Sequence, residues 1–106
     1  MREFSATELH DYLQTAQQPP LLLDVREPWE FDKASIHGST LVPMRSVPER
    51  LGALDPQRET VVICHHGIRS RMVGRYLESQ GFSNIINLNG GVAAWASDVD
   101  RQMPTY

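Results

Sequence analysis

Cysteine is nearly missing from these 106 residues: Cys64 stands alone. A single thiol can form no internal disulfide and no Cys-x-x-Cys pair, so a disulfide framework and dithiol redox chemistry within the chain are excluded. A reducing, cytoplasmic setting is therefore expected. Positive charge is also short. Ten Lys and Arg against thirteen Asp and Glu leave a net charge of −3, and without a basic face nucleic acid is not an expected partner. No apolar run approaches the ~20 residues of a membrane span, so no membrane association is expected either. The opening Met-Arg-Glu-Phe-Ser-Ala-Thr-Glu has neither the apolar stretch of a secretory signal nor the acid-poor composition of a transit peptide. Cys64, His65 and His66 are adjacent, which is poor geometry for a tetrahedral ion, and no second Cys/His cluster completes a set. Neither a metal nor another cofactor is expected.

What is present is an ordinary globular composition, 41% apolar and 22% charged. The length suits one domain over 1–106, with roughly 65% of the unfolded chain's surface hidden on folding. Ser5-Ala6-Thr7-Glu8 is a capping box, and Leu9, Tyr12, Leu13 and Ala16 continue it as an amphipathic helix that Pro19-Pro20 ends. Leu21 to Val25 reads as a buried strand. A short helix is expected over Pro28 to Ala34, with Pro28 in its first turn, and a brief strand at Leu41-Val42. Ser46-Val47-Pro48-Glu49 resembles a second capping box, leading a helix through Leu54. Val61-Val62-Ile63, three consecutive β-branched residues, is the most strand-like run. Ser70 to Gln80 follows as an amphipathic helix closed by Gly81. Asn84 to Leu88 is the last strand, Val92 to Ala96 the last helix, and Asp98 to Tyr106 reads as irregular. Trp29 and Trp95 read as packing residues.

Strands alternate with helices and the connections are too long for hairpins. This predicts an α/β fold with a parallel sheet and helices on both faces. Sites in such sheets form beyond the carboxyl ends of the strands, which here carry Asp24-Val25-Arg26 and Cys64-His65-His66. Cys64 lies between a strand and a helix. Unpartnered amides of the helix N-terminus, its dipole, a Gly67 free to adopt positive φ, and the charges of Arg69 and Arg71 all favour an anion at the sulfur. That pattern points to a nucleophilic cysteine. Asp24 and Arg26 read as supporting residues: a buried carboxylate needs a partner, loop amides supply one, and Arg26 has Glu30 within pairing distance along the chain. His37 reads as an exposed or structural histidine.

Three segments then resemble one family. Leu-Leu-Asp24-Val25-Arg26-Glu27-x-x-Glu30-Phe31, the loop Cys64-His65-His66-Gly67-Ile68-Arg69-Ser70, and Leu88-Asn89-Gly90-Gly91-x-x-Ala94-Trp95 resemble the rhodanese-like domains in content and order. The resemblance implies a three-layer fold around a five-stranded parallel sheet. It implies sulfur transfer through a persulfide on Cys64, from thiosulfate or a persulfide donor to cyanide or a thiol acceptor. The backbone of His65, His66, Gly67, Ile68 and Arg69 would cradle the sulfur, Arg69 would hold the anionic donor, and Ser70 and Arg71 would support the loop. The partners implied are a small anionic sulfur donor and a sulfur-carrier or other thiol protein. The tail Asp98 to Tyr106 is similar to the ends of rhodanese domains fused to sulfur-carrier activating enzymes. One stretch departs: Ala34-Ser35-Ile36-His37-Gly38-Ser39 has Ser35 where many members have histidine. The alternatives are a non-catalytic binding module, a protein-to-protein sulfur relay, and a cysteine phosphatase. The last requires Cys-x5-Arg, whereas Cys64 to Arg69 is Cys-x4-Arg.

Overall fold

In the computed structural model, which describes residues 1–106, the chain runs β1 (Arg2–Phe4), α1 (Ala6–Thr15), β2 (Leu21–Asp24), α2 (Pro28–Lys33), β3 (Thr40–Leu41), α3 (Val47–Arg50), β4 (Thr60–Ile63), α4 (Ile68–Ser79), β5 (Ile85–Leu88) and α5 (Gly91–Asp98). All strand pairs are parallel, in the order β1-β5-β4-β2-β3. The expected sheet is therefore present, with a fifth strand that the residue pattern did not reveal. Arg2–Phe4 carries only Phe4 as an apolar residue, and it becomes a strand by pairing with β5, Arg2 opposite Ile86 and Phe4 opposite Leu88.

Alternation along the strands builds two cores. Leu22, Val61, Ile63, Ile86 and Leu88 face Ala6 and Leu9 of α1 and Val92 and Trp95 of α5. Leu23, Val25, Val62 and Cys64 face Val47 of α3 and Val73 and Leu77 of α4. A fully buried aliphatic side chain contributes about 1.5–3 kcal/mol, and the central strand β4 is buried at all four residues. Register brings the chemistry together at one edge: Leu23 lies opposite Val62 and Asp24 opposite Ile63. The Val25 amide donates to the Ile63 carbonyl, so the ends of β2 and β4 emerge side by side.

The Ser5 capping box is formed, with the Glu8 amide on Ser5 Oγ and the Ser5 amide on Glu8 Oε1. The second one is not. Ser46 already has helical backbone angles, being the end of a short 3-10 turn from Met44, and its side chain caps nothing. Ordinary helix gives way again to a 3-10 turn at Leu51–Ala53. Trp29 is the other correction. It is exposed, touching Tyr106 edge-on, because the first turn of α2 directs Glu30 inward instead. Trp95 is buried as expected.

Candidate active site

Cys64 is the residue after β4, and its sulfur turns back into the mouth of α4. Helix α4 begins at Ile68, two residues earlier than the pattern suggests, and its N-cap is Gly67, which has no side chain to offer. The sulfur takes over that duty. Cys64 Sγ accepts the amide of Gly67 at 3.1 Å and that of Ser70 at 3.3 Å, so donors that a cap side chain ordinarily satisfies converge on it. Of the loop amides expected to face the sulfur, only that of Gly67 bonds it, joined by Ser70 from the helix.

Two glycines behind the loop explain its shape. The carbonyls of Cys64 and His65 point away from the sulfur and accept the amides of Val92 and Ala93 at 2.9 and 3.0 Å. The N-terminus of α5 thus binds the loop's oxygens, leaving its amides free to face inward. Such close approach requires a residue without Cβ. A methyl group on Gly91 would overlap both carbonyls, and Gly90 and Gly91 have φ of +80° and +58°.

Ser70 is completely buried, and its hydroxyl lies 3.3 Å from the sulfur. The direction of that contact follows from Asn87. Its Nδ2 donates to Glu3 Oε1 at 2.9 Å and to the Gly67 carbonyl at 3.3 Å. Both partners are acceptors, so Oδ1 must face Ser70, and the Ser70 hydroxyl donates to it. The Ser70 oxygen therefore turns a lone pair toward the sulfur and can accept from Cys64 only when the thiol carries its proton. Asn87 and Glu3 are site neighbours that the motifs did not indicate. Asn87 had a readable signal, being the single polar residue inside the apolar run Ile85–Leu88, all of it buried. Glu3 had none.

The arginines are placed differently from expectation. Arg26 is fully buried, and every guanidinium N–H has a partner: Asp24 through Nε and Nη2, the Ala34 and Glu30 carbonyls, and the Tyr106 hydroxyl. It meets the backbone of Glu30, not the carboxylate. Asp24, equally buried, also accepts the Arg26 amide at 3.1 Å. Arg69 is not an isolated cation: its two Nη donate to the two Glu30 oxygens at 2.7 and 2.9 Å. Arg71 reaches Glu3 on β1 at 3.0 Å. Glu30 also accepts the Glu27 amide and the Tyr106 hydroxyl. The Arg69 guanidinium, with these hydrogen bonds, outweighs burial and brings its carboxyl down to about 2.

The two loop histidines lie outside the sulfur's cradle. Half-buried His65 stacks between His66 and Tyr106, with ring centroids 4.1 Å apart on each side. Burial, then the neighbouring His66, lowers its pKa, so at neutral pH it adds no charge to the mouth. His66 and Ile68 are exposed. His37 is exposed too, in a shallow hollow with His10 and Trp95 that shares no residue with the loop. The largest surface hollow, about 930 Å³, lies at the opposite end of the sheet against Glu59 and Asn84 and holds none of these residues.

This constellation invites comparison with known proteins. The model of the rhodanese-like domain matches residues 5–98. The chain belongs to the rhodanese-like domain family. It is 37% identical over 76 residues to a protein of Allochromatium vinosum named sulfurtransferase, covering 72% of this chain and 71% of that one. Over 112 residues it is 36% identical to the chloroplastic rhodanese-like/PpiC domain-containing protein 12 of Arabidopsis thaliana, of which it spans only 38%. Among solved structures, the rhodanese-like domain protein of Staphylococcus aureus superposes with a TM-score of 0.83 at 30% identity, covering 90% of this chain and 91% of that one. The α/β architecture with its parallel five-stranded sheet is the rhodanese-like fold, and a sulfur-transfer role is supported. No helix is long and apolar enough to cross a membrane.

Proposed function

We propose that this rhodanese-like domain is a sulfurtransferase that moves sulfane sulfur from thiosulfate or a persulfide donor to cyanide or a thiol acceptor, carrying it as a persulfide on Cys64. The observation that supports the reading best is the pair of backbone amides on the sulfur, at 3.1 and 3.3 Å, at the positive end of α4. Donors aimed at a sulfur stabilise its anion, the nucleophilic form. The thiolate attacks the outer sulfur of thiosulfate or of a persulfide. The new Sγ–S bond forms as the donor's S–S bond breaks, and sulfite or a thiolate leaves. In the second half, cyanide or an acceptor thiolate attacks the outer sulfur, and Cys64 leaves as thiolate. Charge balances in both halves and no redox partner is needed. In this reading the site takes a small anionic donor, works in a reducing, cytoplasmic setting, and needs neither metal nor cofactor. Asp24, Arg26, Ser70 and Arg71 hold the loop in place.

Intact mass spectrometry after incubation with a donor tests the reading. The wild-type protein should gain one sulfur atom and lose it to cyanide, while Cys64→Ser gains none, and steady-state kinetics should be ping-pong. A wild-type chain that takes up no sulfur, or a serine variant that still transfers it, would overturn the proposal.

A further inference from the structure

The arginines of the site segments, Arg26, Arg69 and Arg71, are each paired with a carboxylate. Arg26 has Asp24, Arg71 has Glu3, and Arg69, the loop's own cation, has both oxygens of Glu30. Arg45, at the same edge of the sheet, has Glu27. His65 adds nothing at neutral pH. The pairing of Arg69 is built deeply into the fold. Glu30 is 4% exposed, and the Glu27 amide and the Tyr106 hydroxyl hold it from two other sides. Its carboxyl, at about 2, is ionised wherever the protein is folded near neutrality.

A doubly charged donor therefore meets no uncompensated cation. It can reach Arg69 only through the N–H groups that Glu30 leaves unused, where the adjoining carboxylate repels it, and displacing Glu30 would leave a buried carboxylate without its cation, which is strongly unfavourable. A donor with a single charge needs less. Its outer sulfur can rest on the loop amides alone, with the rest of the molecule facing solvent. We propose that Glu30 is a specificity-determining residue, which cancels the charge of Arg69 and so turns the site away from dianionic donors such as thiosulfate and toward singly charged organic persulfides. This rests on the sulfur-transfer reading above. In the step concerned, the Cys64 thiolate attacks the outer sulfur of R–S–S⁻, and that sulfur keeps its single charge on the resulting Cys64 persulfide. The Sγ–S bond forms, the inner S–S bond breaks, and the leaving thiolate R–S⁻ carries the electron pair.

The test compares the second-order rate of Cys64 persulfide formation from thiosulfate and from 2-hydroxyethyl persulfide, which has no other charged group. Glu30→Gln keeps the shape and the hydrogen-bond acceptor but frees the charge of Arg69. It should raise the thiosulfate rate relative to the persulfide rate about tenfold, the value of one charge-assisted contact. Adding Arg69→Gln to that variant should abolish the gain. An unchanged ratio in Glu30→Gln, or a gain that survives the loss of Arg69, would overturn the inference while leaving sulfur transfer intact. If Glu30→Gln fails to fold, the wild-type protein decides. Its thiosulfate rate should not fall from low to near-physiological ionic strength, because no net attraction is there to screen. A steep fall with salt would mean that Arg69 acts as a free cation. Loading from neither donor would overturn the sulfur-transfer reading itself, and this inference with it.

Discussion

A methyl group placed on Gly91 would run into the carbonyls of Cys64 and His65, and the backbone there has a positive φ that L side chains rarely adopt. Both effects act on the loop through α5. Gly91→Ala should move the helix start away from the two carbonyls it binds and cost about 2–4 kcal/mol, within the range for backbone strain combined with lost hydrogen bonds. Urea unfolding measures the stability loss, and sulfur uptake by the folded fraction should fall as well, since the carbonyls are then free to rotate toward the sulfur. Gly38 has a similar φ of +84° but open space around it, so Gly38→Ala is the control that separates strain from collision. Cys64, Gly67, Ser70 and the glycine pair were legible in the sequence because their arrangement is local or lies in a dense motif. The partners of Ser70 and Arg69 were not. Asn87 is 17 residues from Ser70, and Glu30 is 39 residues from Arg69. No periodicity within a segment reports such pairings.

At the scale of the elements, β2, α1, β4 and β5 were legible because apolar runs and the Ser5 capping box are strong local signals. The segment from Met44 to Ala53 was not. Its Ser-x-x-Glu pattern is present, but a 3-10 turn already occupies the backbone that a cap needs extended. Helix α2 shows why a short element can still be fixed. It has six residues, too few to be stable alone, and Arg26 ties it to β2 by binding the carbonyls of Glu30 and Ala34 near its C-terminal end. Asp24 compensates the charge of that strut. Asp24→Ala would leave a wholly buried guanidinium without its counter-ion, at a cost of about 3–5 kcal/mol. Thermal or urea unfolding checks this, and a loss below about 1 kcal/mol would mean that the carbonyls and Tyr106 suffice.

For the whole molecule, the same pairing that neutralises the mouth links stability to pH. Glu30 titrates at about 2 in the fold against an ordinary 4.5, so the unfolded chain binds the proton first as pH falls. The stability this contributes is fully present above about 4.5 and is lost as pH drops toward 2, in the direction required when the unfolded state holds more protons. Its size is on the order of 3 kcal/mol, enough to matter for a chain of this length. Arg69 stays protonated throughout and adds no slope of its own. His65 acts in the same direction higher on the scale. Burial depresses its folded pKa below 6.5, so a smaller loss begins as pH falls through that value. Urea midpoints measured from pH 7.5 down to 2.5 should therefore decline in two stages. Glu30→Gln should make the lower stage shallower and leave the upper one, the remaining acid loss coming from Glu3, Glu8 and Glu59, whose pKa values their hydrogen bonds also lower. His65→Phe, which keeps an aromatic ring between His66 and Tyr106, should instead flatten the upper one alone. A lower stage unchanged in Glu30→Gln would assign the acid sensitivity to the other paired carboxylates and remove Glu30 from the account.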